Sequence, residues 1–280
     1  MKPHLTRPKE DNEIFTSNKI NPKVSVITIS LNHDRFFEET ILSVARQTYK
    51  DFEHIIIDGG STDGTKDIAE KYPHLTFLSE VDSGCTEAIN KGLALAKGDY
   101  VLMPCVSDGY VNENWIEKCV DALDSDPEIS LVWGLPQYLS EDGYLGSVSY
   151  SDKFSKSSPP PQKFDWFNYW AGTKFWLPEG NFCVRTDVFK KCYPKSDNDR
   201  NLEPCLEFNY KFNSEGYLPF YIDEIANFGR THQNQMGQKF ASNGLANVQM
   251  NDYINKCNAY ISNNMNTHQF RDGMSNIITK

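Results

Sequence analysis

What this chain lacks narrows its class before any motif is weighed. No apolar run approaches the roughly 18 to 20 residues that a membrane span needs. The opening Met1-Lys-Pro-His-Leu-Thr-Arg-Pro-Lys-Glu has no apolar core of the kind a signal peptide carries. Seven cysteines are scattered, odd in number, with no Cys-x-x-Cys pair, which excludes a disulfide frame and a zinc ribbon. Free thiols fit a soluble protein of the reducing cytoplasm. Basic residues are in deficit, 28 Lys and Arg against 38 Asp and Glu, and the net charge of −10 argues against nonspecific nucleic-acid binding. No Gly-x-x-x-x-Gly-Lys-Ser/Thr occurs, which removes a P-loop kinase or ATPase. No Gly-x-Gly-x-x-Gly follows the first expected strand, which removes an NAD-binding Rossmann domain.

What is present is a regular alternation. Val24-Ser-Val-Ile-Thr-Ile-Ser reads as a strand, and Arg35 to Gln47 has the apolar spacing of an amphipathic helix. Phe52 to Asp58 is a second strand, rich in isoleucine and suited to a pleat covered on both faces. It runs into Gly59-Gly60-Ser61-Thr62-Asp63-Gly64, where Ser61, Thr62 or Asp63 can cap a helix beginning near Lys66. Leu75-Thr-Phe-Leu-Ser, a helix from Thr86 to Ala96, and a strand from Asp99 continue the pattern. This predicts an α/β fold with a mostly parallel sheet and helices on both faces.

Beyond a helix at Trp115–Leu123 and a strand at Ile129–Trp133, residues 135–162 read as irregular. Seven aromatics then crowd into the 13 residues from Phe164 to Trp176. That density suits a wall on which sugar rings stack, a core lid, or a peripheral foot on a membrane. Strand-like Asn181–Arg185, short helices near 187 and 206–213, extended pieces at 218–222 and 225–232, and a helix around Asn247–Ser262 complete the reading. Residues 1–22 read as an arm, 23–235 as one domain divided near 123, and 236–280 as a helical tail.

In a doubly wound sheet, Asn32 with Asp34, Asp58, Asp82 and Asp108 share the carboxyl edge, where such sheets bind ligands. A carboxylate cluster without lysine suits a divalent metal or ribose hydroxyls. Asp after a strand is also ordinary turn chemistry, so no single member carries the argument.

The motif string resembles the family 2 glycosyltransferases. Val24 to Asn32, Ile41-Leu-Ser-Val-Ala-Arg-Gln-Thr and Phe52 to Thr65 look like that family's opening. Ser79-Glu-Val-Asp-Ser-Gly, Ala88-Ile-Asn-Lys-Gly and Ala96-Lys-Gly-Asp-Tyr-Val continue in its order. The resemblance implies a GT-A fold with a nucleotide-binding half (23–123) and an acceptor half (124–235). It implies inverting, metal-assisted transfer of a hexosyl or N-acetylhexosaminyl group. The donor would be a nucleotide-sugar, a UDP-sugar before others, and the acceptor a glycan or glycolipid in polysaccharide biosynthesis.

By the same analogy Ser30 and Asn32 lie beside the base, and Asp58 and Asp82 contact base or ribose. Ser107 and Asp108 fall on the family's metal motif, with Ser107 in place of its first aspartate. Asp108 and His232 would then hold Mn²⁺ or Mg²⁺. The family's base lies about eleven residues before a Gly-Tyr pair, and counting back from Gly216-Tyr217 lands on Cys205. Glu203 and Glu207 are the nearest carboxylates, Glu203 being favoured. Trp166, Trp170, Glu179 and Asn181 are candidates for the sugar and acceptor side. The altered positions 107 and 205 keep open a noncatalytic nucleotide- or glycan-binding module, and a nucleotidyltransferase shares the fold.

Overall fold

The structure, a computed structural model, describes residues 21–150, 164–197, 203–233 and 244–264. Residues 1–20 of the expected arm (1–22) and parts of the expected tail lie outside the described residues. Strand β1 (Val24–Ser30) pairs in parallel with β2 (Phe52–Asp58), which pairs in parallel with β3 (Leu75–Ser79). The register sets Ser30 opposite Asp58 and Asp58 opposite Ser79, so three polar side chains line up at the carboxyl edge. On the other flank of β1 lies β4 (Tyr100–Leu102), also parallel. Helices α1 (Asp34–Ala45), α2 (Thr65–Ala69) and α3 (Cys85–Leu95) make the crossovers.

The second half follows as β5 (Gly109–Tyr110), α4 (Trp115–Ser125), β6 (Ile129–Ser140) and β7 (Leu145–Val148). Then come α5 (Phe164–Thr173), β8 (Cys183–Arg185), α6 (Thr186–Cys192), α7 (Pro204–Ser214), β9 (Leu218–Thr231) and a final helix α8 (Leu245–Asn264). One sheet has the order β3-β2-β1-β4-β8-β6-β9-β5, with β7 beside β6. Its long pairings, β1 with β2 and β6 with β9, are parallel, while β8, β5 and β7 add short antiparallel contacts.

Both faces of the sheet are buried, which suits the β-branched runs Val26–Ile29 of β1 and Ile55–Ile57 of β2. Val24 and Val26 join Phe52, Trp115 and Ile116 on one face. Ile27 joins Trp133, Trp166, Phe182, Phe208 and Phe212 on the other. A third cluster ties α5, α7 and α8 together through Trp170, Leu206, Tyr253 and Cys257.

Residues 135–162 are less irregular than their sequence suggests. Strand β6 runs on to Ser140 and turns back into β7, whereas 151–163 lie outside the described residues. Likewise β9 is one long strand, not two extended pieces. Both misreadings have one cause: the β6–β9 register shifts near Trp133 and Leu135, which breaks the two-residue alternation that marks a strand. Gly134 sits at that shift, where a β-carbon would come 2.7 Å from the Trp115 ring and 2.9 Å from the Glu224 carbonyl oxygen.

Candidate active site

The loops after β1 and β2 are stitched to each other. Asn32, in the left-handed region at φ 54°, accepts the Thr62 N–H on Oδ1 at 2.9 Å and gives its own N–H to Ser61 Oγ at 2.7 Å. Asp34 Oδ2 accepts the Gly64 N–H at 3.2 Å, and the Asp34 N–H donates to Asp63 at 3.0 Å. Asp58 is fully enclosed and accepts the Ser61 N–H at 2.9 Å, the Ser61 hydroxyl, and the Ser79 hydroxyl at 2.7 Å. Its carboxylate therefore shapes the loop from within. Helix α2 is entered at Gly64, and Asp63 supplies the bond to the Thr65 N–H at 3.0 Å.

Asp82 is aligned by the Gly84 N–H at 3.0 Å and leans over Gly59. Leu31 stands exposed beside Gly59 and Val81 beside Gly60, Val81 by 82%. The Ser30 hydroxyl is buried at this edge with no hydrogen-bond partner among the described residues, a polar atom left for a ligand. Apolar faces, a spare hydroxyl and a carboxylate together make a surface suited to a heterocyclic base and its ribose.

The turn after β4 is held differently. Ser107 is buried at φ 82°, a strained conformation for a residue with a β-carbon, of the kind that collects at functional sites. Its N–H donates to Thr40 Oγ1 at 3.2 Å, and the Thr40 hydroxyl donates to the Asp108 carbonyl at 2.7 Å. Asp108 Oδ1 accepts the Arg230 N–H at 2.9 Å. The Arg230 guanidinium is spent elsewhere, on Glu39 and the carbonyls of Ser107, Ser140 and Glu141. Burial therefore pushes the Asp108 carboxyl up to about 7, with the Arg230 N–H and charge opposing it only in part.

Across from Asp108, Gly180 takes φ 87°, and a β-carbon there would stand 3.9 Å from Asp108 Oδ2. Glu179 precedes that turn and is exposed to solvent. Crowding by protein, then the charges of Glu203 and Asp108, hold the Glu179 carboxyl above its usual range. Glu203 is the residue that caps α7, accepting the Cys205 N–H at 3.1 Å, with Pro204 as the first helical residue. The Cys205 thiol donates to Glu203 Oε2 at 2.5 Å. Cys105, Cys85 and the unpartnered, buried hydroxyl of Tyr193 lie within electrostatic reach of the same acids. The structure thus draws Asp108, Glu179 and Glu203 from three separate elements onto one cleft.

Several expected site residues do not belong to it. Glu207 is buried on α7 and tied to Lys256 of α8 at 2.7 and 2.9 Å, an ion pair that packs two helices. Trp166 and Trp170 are core: each is fully enclosed, one indole N–H donating to Asn213 Oδ1 at 2.6 Å and the other to the Tyr253 hydroxyl at 3.1 Å. They offer no face to a sugar. Trp176, exposed by 38% and stacked on Phe175, meets solvent, and Tyr169 is half-buried. Asn181 is also interior, its amide satisfied by Gly134 and Asn227. His232 lies against the rings of His33 and Phe36, and burial lowers its pKa. No group of three metal-ligating side chains forms among the described residues, so His232 and Asp108 are not joined in a ready-made cage.

A divalent ion still fits Asp108. The carboxylate is half-buried, its neighbouring guanidinium is engaged elsewhere, and its second oxygen faces the Gly180 turn. One or two carboxylates completed by substrate phosphates is how Mg²⁺ is commonly held. Cys205 and Trp176 were the residues sequence reasoning passed over. For Cys205 the signal was there, since counting back from Gly216 ends on it.

A mostly parallel sheet covered by helices in this order is the GT-A architecture of glycosyltransferases. The chain belongs to glycosyltransferase family 2, whose family model matches residues 25–191. It is 33% identical over 135 residues to an uncharacterized glycosyltransferase of Mycobacterium tuberculosis, covering 46% of this chain and 52% of that one. It is 44% identical over 86 residues to TuaG of Bacillus subtilis, named for teichuronic acid biosynthesis, covering 29% and 34%. The chain thus spans about half, or less, of the curated relatives it matches. Among solved structures, Staphylococcus aureus TarS with UDP-GlcNAc superposes with a TM-score of 0.58 at 21% identity, covering 76% of this chain and 60% of that one. The mannosyltransferase PcManGT of Pyrobaculum calidifontis, solved with GDP-Man and Mn²⁺, also gives 0.58 at 17% identity, covering 82% and 63%.

Proposed function

We propose that this protein transfers a sugar, with inversion, from a nucleotide-sugar to a hydroxyl of a glycan or glycoconjugate. The observation that carries this reading is the convergence of Glu203, Glu179 and Asp108 beside the base-binding edge. Ser30, Asp82, Leu31 and Val81 would hold the nucleotide, and UDP is the one expected, as in the TarS complex with UDP-GlcNAc. Asp108 would hold Mn²⁺ or Mg²⁺ together with the diphosphate, the ion offsetting charge that builds on the leaving group. Glu203, fixed at a helix start, would take the proton from the acceptor hydroxyl. Glu179 would hydrogen-bond the transferred sugar, and Trp176 would face the acceptor. The acceptor as a cell-surface polysaccharide is supported by the name of TuaG.

A thermal-shift panel of UDP, GDP, CDP and dTDP, with and without Mn²⁺, tests the donor side. A nucleotide at about a hundred times its Kd stabilises by roughly 2.7 kcal/mol. One base giving a metal-dependent rise, followed by release of that nucleotide from its sugar conjugate, is the expected result. Binding without turnover of any sugar conjugate would favour the noncatalytic module, which Ser107 and the absence of a three-ligand cluster among the described residues support.

A further inference from the structure

Cys205 stands where the spacing from Gly216 calls for a carboxylate, and its surroundings show what the thiol does there. Its sulfur lies 2.5 Å from Glu203 Oε2, and its backbone N–H reaches the same oxygen at 3.1 Å. The Glu179 carboxyl is within electrostatic reach of the same sulfur. A thiol has one proton to give and a sulfur that can accept. We propose that Cys205 is a positioning residue: its thiol and its backbone N–H both meet Glu203 Oε2 and aim that carboxylate.

This rests on reading the cleft as the transfer site. Two further features agree with it. Crowding by protein and then the charges of Glu179 and Glu203 push the Cys205 thiol well above its usual range, so it remains an S–H donor and is not a nucleophile. With Asp108, Glu179 and Glu203 already within electrostatic reach of one another, a carboxylate at 205 would be the fourth in the group. A neutral donor at 205 therefore goes with a base displaced by two residues, to 203. The charged and titratable groups facing Glu179 are Glu203, Asp108 and Cys205, with Cys105 and Tyr193 nearby.

The test compares Cys205→Ala, Cys205→Ser and Cys205→Asp in release of UDP from UDP-GlcNAc and UDP-glucose with Mn²⁺. Cys205→Ala is expected to lower kcat by about tenfold with the donor KM within about twofold. Cys205→Ser, which keeps a donor proton, should restore at least about half of the loss, and Cys205→Asp should be worse than Ala. Unchanged kcat in Cys205→Ala, or a serine variant no better than alanine, would overturn the proposal. A second arm needs no donor: the rate of Cys205 alkylation by iodoacetamide at pH 8.5, followed by peptide mass. Replacing Glu203 by Gln should raise that rate several-fold, because thiolate formation no longer faces the carboxylate; an equal rate would count against the contact. Failure of the wild-type protein to turn over either sugar would speak against the transferase reading, while the alkylation arm still decides the role of the thiol.

Discussion

A β-carbon on Gly59 would stand 3.1 Å from Asp82 Oδ2 and 3.4 Å from Leu31. The loop after β2 thus passes close under a carboxylate that belongs to the loop after β3. Since Asp82 is a movable side chain, Gly59→Ala should fold with an unfolding midpoint close to that of the parent. Asp82 must yield, however, and its carboxylate leaves the place where ribose or base would meet it. UDP affinity by calorimetry should fall about tenfold, near 1.4 kcal/mol. Unaltered affinity would remove Asp82 from the nucleotide site.

Glu203 and Glu207 lie four residues apart and should behave oppositely. Glu203→Gln is expected to cut transfer by roughly 10² or more with nucleotide binding intact. Glu207→Gln should leave turnover per folded molecule near normal. It should instead cost stability, by about 1–3 kcal/mol in urea titration, because Lys256 loses a buried partner. The reverse pattern would move the base to Glu207.

Asp108 predicts a pH dependence with a definite sign. Its carboxyl is raised from an ordinary 3.8 to about 7, so between those values the folded state holds a proton that the unfolded chain has released. Stability should fall as pH rises through that window. Asp108→Asn should flatten the slope. Mn²⁺ with UDP should raise the midpoint at pH 7.5 more than at pH 5, and should do neither in the Asn variant.

His54 acts in the other direction. It is buried in β2, with Nε2 3.0 Å from the Thr28 hydroxyl and no partner for Nδ1 among the described residues. Burial, with a smaller contribution from His74, lowers its pKa from 6.5 to about 3. Here the unfolded chain binds the proton first, so stability is complete above about 6.5 and declines as pH falls towards 3. His54→Gln should lose most of that acid sensitivity, read as the unfolding midpoint between pH 7 and 4.

The aromatic stretch divides by burial. Trp166→Phe should destabilise by about 1–3 kcal/mol, since Asn213 Oδ1 is left buried without its donor. Trp176→Ala should stay within about 0.5 kcal/mol of the parent, as surface substitutions usually do. Its effect should appear in the acceptor KM. A large stability loss at Trp176 would make it core as well.

How much of this was legible in the sequence varies by element. Strands β1 and β2 were plain because burial on both faces selects unbroken β-branched runs, and the Gly/Asp loops mark where they end. The placement of Ser30 beside Asp58 followed, since parallel strands of equal length bring their carboxyl ends level. Strand β6 past Gly134 was hidden, because a register shift destroys alternation. Trp166 and Trp176 are chemically alike in sequence, and nothing local says which ring faces inward.

By itself, the sequence determined the α/β class, the carboxyl edge with Ser30, Asn32, Asp58 and Asp82, and the glycosyltransferase family. These depend on periodicity and on turn chemistry between near neighbours. Only the tertiary structure decided that Glu207 serves Lys256, that Trp166 and Trp170 are core, and that Asp108, Glu179, Glu203 and Cys205 share a cleft. Those residues are separated by up to about a hundred positions in the chain. Their protonation and their roles come from burial and from each other's charge, which exist only once the chain has folded.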